Sequence, residues 1–85
     1  MALNGDKLRD SCIVAVDTFR KLGDPAFVDI TEKLEYVIGS YNYDGNPVGL
    51  NEFAHQALIM LKEVKAKNSR KVNKKVIDDL EKYSG

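Results

Sequence analysis

From Leu8 the apolar residues recur as Leu8, Cys12, Ala15, Phe19 and Leu22, in steps of four, three, four and three. That spacing stripes one side of a helix and predicts helix one over about 6–22. Gly23 then supplies a left-handed stop, and Asp24 before Pro25 reads as an N-cap with proline at the first helical position. The second stripe is Phe27, Ile30, Leu34, Val37 and Tyr41, widened by Val28 and Ile38, for a helix over 25–39. Asp29 and Glu32 have capping-box spacing and offer an alternative start one turn later. Residues 40–49 read as a loop, because Asp44-Gly45 and Asn46-Pro47 are strong turn signals.

Helix three is expected over 50–67, starting at Gly49 or Asn51, with Phe53, Ala57, Leu61 and Val64 as its stripe and Val48 stapled on Phe53. Asn68-Ser69 is the next punctuation, and Ser69 reads as the N-cap of a last helix over 70–83 that turns Val72, Val76, Leu80 and Tyr83 inward. No segment alternates cleanly as a strand would, and only Glu35 to Tyr41 reads either way. The fold class is therefore all-α: a compact four-helix bundle or an orthogonal four-helix array, forming one domain over 1–85.

Two stretches are greasier than this pattern requires. Cys12 to Val16 and Ala57 to Leu61 are apolar all the way round for more than a turn. A small bundle has little interior in which to hide a helix on every side. Ile13, Val14, Ile59 and Met60, with Tyr41 and Tyr43 as aromatic anchors, are thus candidates for a homodimer or protein-partner interface. The competing reading is that steeply crossing helices bury both belts internally.

Composition narrows the classes. The 85 residues are 44% apolar and 31% charged, an ordinary globular balance. Cys12 is the only cysteine, which rules out an intrachain disulfide or a multi-cysteine metal site and reads as a small buried apolar group. No secretory leader and no membrane-length apolar run is visible, so a cytoplasmic protein is expected.

Charge is uneven along the chain. Residues 1–61 hold five Lys or Arg against nine Asp or Glu, while residues 62–85 hold eight against four. The last helix has its cations first and its acids last, the reverse of what the helix dipole favours, with Lys74 to Asp78 and Lys75 to Asp79 as compensating pairs. An anionic ligand at the Ser69 helix start, or an acidic partner, met by Lys67, Arg70, Lys71, Lys74 and Lys75 would account for that order. Nucleic acid is the alternative partner for the basic 62–75 segment. Against it stand a net charge of zero, a pI near 6.6 and the absence of aromatics among these lysines.

Candidate chemistry is sparse. Ser40, Asn42, Asp44 and Gly45 echo the first, third, fifth and sixth positions of a calcium loop, but Ser40 is not acidic and Asn51 stands where the bidentate glutamate belongs. His55 is the lone histidine, with Glu52 three residues before it and no nucleophile in a recognised arrangement. No cofactor motif, catalytic constellation or metal spacing is present. The chain reads as a small helical interaction module, not an enzyme, that associates with itself. The alternatives are a nucleic-acid-associated protein and a weak metal or small-molecule site at loop 40–49.

Overall fold

A computed structural model describes residues 5–84. Helices α1 (Gly5–Leu22), α2 (Val28–Asp44), α3 (Val48–Lys67) and α4 (Lys74–Tyr83) account for most of it, and a 3-10 turn at Pro25–Phe27 leads into α2. No strand occurs among the described residues, so the fold is all-α. α1 and α3 are the central pair: they pack on each other, and each also packs on both α2 and α4. This arrangement explains much of the apolar width of the two greasy helices. Cys12, Ala15, Val16, Ala57, Leu58 and Leu61 are all buried, because a helix with three neighbours buries more than one stripe.

The first connection follows its sequence signals. Gly23 takes φ of 68° and its N–H donates to the Phe19 carbonyl at 3.1 Å. Asp24 caps the 3-10 turn, its Oδ1 accepting from the Ala26 N–H at 2.9 Å.

The second connection corrects the reading of 40–49 as a loop. α2 runs on to Asp44, and Gly45 at φ 75° ends it by donating to the Tyr41 carbonyl at 2.7 Å. The reason is tertiary. Tyr41 continues the inward stripe and donates its hydroxyl to Asp6 Oδ1 at 2.7 Å, while Arg9 Nη1 donates to Asn42 Oδ1 at 3.1 Å. Anchored on α1, the last turn of α2 stays helical. Only residues 45–47 remain as connection, held by Asp44 Oδ1 accepting from Asn46 N–H and Asn46 Oδ1 accepting from Val48 N–H. α3 starts at Val48, whose side chain is exposed, so the staple on Phe53 does not form.

The last helix starts later than residue 70, and Ser69 is not its cap. Residues 68–73 form a turn that sends Val72 into the core, and Lys65 Nζ donates to the carbonyls of Ser69 and Val72 at 3.2 Å each. Seating Val72 there uses up the residues that would have made another helical turn. The N-cap of α4 is Asn73, whose Oδ1 accepts from the Lys75 N–H at 2.9 Å. Asn73→Ala is therefore expected to lower stability by about 1 kcal/mol in a urea melt. Ser69→Ala should stay within about 0.5 kcal/mol, as a surface change does. Equal losses at the two positions would contradict the assignment of the cap.

Candidate interaction surface

Ile13 and Val14 stand 46% and 47% exposed, on the side of α1 turned away from the core. Val14 follows the buried Cys12 by two residues, about 200° around the helix. Together with Val16, Ile38 and Gly39 they line an open groove of about 510 Å3 between α1 and α2. Asp17, Arg20 and Glu35 also line it, and an Arg20–Glu35 ion pair bridges α1 and α2. A Cβ built on Gly39 would meet nothing within 4 Å, so the backbone of α2 is uncovered there. The patch thus offers two projecting aliphatic side chains beside a position with no side chain.

The other residues expected at an interface are not part of this patch. Ile59 is 59% exposed but follows the buried Ala57 by two residues, about 200° round α3, and does not line the α1–α2 groove. Met60 is half-buried and packs on the core. Tyr41 is half-buried and tied to Asp6, and the hydrogen bond its hydroxyl donates to that carboxylate raises the phenol pKa. Tyr43 is 93% exposed on the last turn of α2. Sequence reasoning missed Arg20, Glu35 and Gly39. The available signal was Ile38, which widens the stripe of α2 beyond what one buried face needs.

The basic segment is less uniform than its composition. Lys62 pairs with Glu81 at 2.7 Å, Lys75 pairs with Asp79 at 3.1 Å and Lys65 is spent on turn carbonyls. Lys67, Arg70, Lys71 and Lys74 are exposed, and among the described residues none of them has an ion-pair partner. The expected Lys74 to Asp78 pair is thus not made. The anion cradle expected at a Ser69 helix start does not exist, because α4 begins at Lys74 and Asn73 already occupies the Lys75 amide.

The other readings of 40–49 and of Cys12 also change with the geometry. Ser40, Asn42 and Asp44 lie on α2, so they cannot wrap an ion as a calcium loop does. Among the described residues no three His, Cys, Asp or Glu side chains converge so as to hold a metal ion. His55 is exposed on α3. Cys12 is buried in the core, and burial pushes its thiol pKa up to about 12, which leaves it a neutral packing group. Among the described residues no helix is long and apolar enough to cross a membrane. No family model, curated protein or solved structure matches this chain.

Proposed function

We propose that the protein is a small helical protein–protein interaction module that pairs with a second copy of itself through the α1–α2 groove. The observation that carries this reading is the half-exposure of Ile13 and Val14 beside Ile38 and the uncovered backbone at Gly39. Projecting side chains and an empty trough within one patch suit a two-fold contact, in which each copy seats its ridge in the other's trough. A formal net charge of zero removes long-range repulsion between copies. The setting we read for it is the cytoplasm, where a lone free thiol such as Cys12 stays reduced.

The exposed apolar area is modest, which points to a reversible dimer at the small end of specific interfaces. Light scattering across a dilution series from about 1 µM to about 1 mM should show the mass rising from 9.5 kDa toward twice that value. The Ile13→Glu/Val14→Glu variant should remain at the single-chain mass, since like charges would be buried face to face. Both positions are exposed, so the variant should keep its helical circular dichroism. A single-chain mass at every concentration, or a variant that dimerises like the parent, would remove the reading.

A further inference from the structure

A second cleft, sharing no lining residue with the α1–α2 groove, lies where the end of α1, the 3-10 turn and the last turns of α3 meet. Its apolar lining is Leu22, Ala26, Phe27, Met60 and Val64, and its volume is about 420 Å3. That is within the roughly 300–1,000 Å3 of ordinary ligand clefts. Lys67, Lys71, Asp24 and Glu63 line it too. These two lysines belong to the run of four unpaired cations, whose other members, Arg70 and Lys74, lie outside the cleft.

We propose that this cleft takes one large apolar side chain of an acidic peptide segment, whose carboxylates pair with Lys67, Lys71 and Arg70. Two features select that chemistry. The apolar floor favours an apolar group over water, and a run of four cations with no ion-pair partner among the described residues favours negative charge beside it. A small monoanion held at the cleft would leave Arg70, the chain neighbour of Lys71, without a partner, whereas an extended acidic chain is long enough to meet both.

Nucleic acid fits less well. Asp24 and Glu63 would repel phosphates at the cleft, and the Phe27 ring already packs at 4.9 Å on Phe19 instead of lying free as a stacking platform. A peptide puts an uncharged side chain into the cleft and has backbone N–H groups that can donate to Asp24 and Glu63, whereas a phosphate chain offers neither.

The test uses fluorescence anisotropy at low salt with a labelled peptide, Glu-Asp-Phe-Glu-Asp. The Ile13→Glu/Val14→Glu background keeps self-association through the other groove out of the measurement. Binding should weaken about tenfold when the peptide's phenylalanine becomes alanine. It should weaken by at least about tenfold in Lys67→Glu/Lys71→Glu, and should fall with added salt. Ala26 is exposed and lines the cleft, so Ala26→Trp should plug it and remove the preference for phenylalanine while the fold is kept. Three results would overturn the proposal. They are no binding of the peptide, equal binding of its alanine version, and competition by an oligothymidylate of matching charge as strong as by the peptide itself.

Discussion

Phe19→Ala is expected to cost about 3–5 kcal/mol, a large part of the whole stability of this protein. Phe19 is 2% exposed at the centre of the α1 stripe, and its ring packs on Phe27 at 4.9 Å, tilted by 35°. Alanine removes the ring's burial and leaves a cavity that the central α1–α3 pair can close only in part. A chain of 85 residues has about 4–13 kcal/mol of folding free energy in total. The variant's urea midpoint should therefore fall by at least about a quarter, and it reaches zero if the parent lies at the low end of that range. Phe27 is half-buried and sits on the 3-10 turn, so the same change should loosen the cleft that Phe27 lines. A loss under about 1 kcal/mol would mean that Phe19 is not packed as described.

Cys12 should be almost inert to an aromatic disulfide reagent in the folded protein, reacting at least about a thousandfold more slowly than in denaturant. Two properties combine to protect it. The side chain is 0% exposed, and burial holds the thiol pKa near 12, so the reactive thiolate is scarce even where the reagent enters. Reaction then requires opening of the fold, and its rate reports the unfolded population. Prompt labelling under native conditions would show that the α1 core is open.

The same group gives stability a pH dependence whose direction follows from the proton count. The unfolded thiol loses its proton near pH 9 and the folded one near 12, so between these values the native state binds more protons. Stability contributed by the neutral thiol is present below pH 9 and is lost on going up to 12, with a slope approaching about 1.4 kcal/mol per pH unit. Tyr41 acts in the same direction, because its hydrogen bond to Asp6 favours the protonated phenol. Urea melts of Cys12→Ala against the parent isolate the thiol. The variant should lose stability less steeply above pH 9, and parallel curves would refute the assignment.

The helices were legible because their cause is local. The four-and-three spacing of Leu8 to Leu22 and of Phe27 to Tyr41 marks faces that must be covered whatever covers them, and Gly23 and Asp24 end and start helices through their own backbone and side chain. The two boundaries that moved did so through distant partners. Turn signals at Asp44 to Pro47 favour a loop from residue 40, but Asp6 and Arg9 on α1 hold Tyr41 and Asn42 in a helical turn. Ser69 has the chemistry of a cap, yet burial of Val72 moves the start of α4 to a position capped by Asn73. Local propensity is worth about 1 kcal/mol at such a site, and core burial or an interhelical bond outweighs it.

The surfaces divide in the same way. Sequence alone identified Ile13, Val14 and Ile59 as more apolar than a single stripe needs, and marked 62–75 as cationic, since composition and spacing are properties of the chain itself. Tertiary structure decided which of these features share a surface. It set Ile13 and Val14 beside Ile38 and Gly39, put Ile59 elsewhere, neutralised Lys62 and Lys75, and brought Lys67 and Lys71 to the edge of an apolar cleft. The physical reason is that a helix's own pitch settles only the direction each side chain takes around its axis. What lies opposite depends on how α1 and α3 pair and on where the turns return the chain, and no residue spacing carries that information.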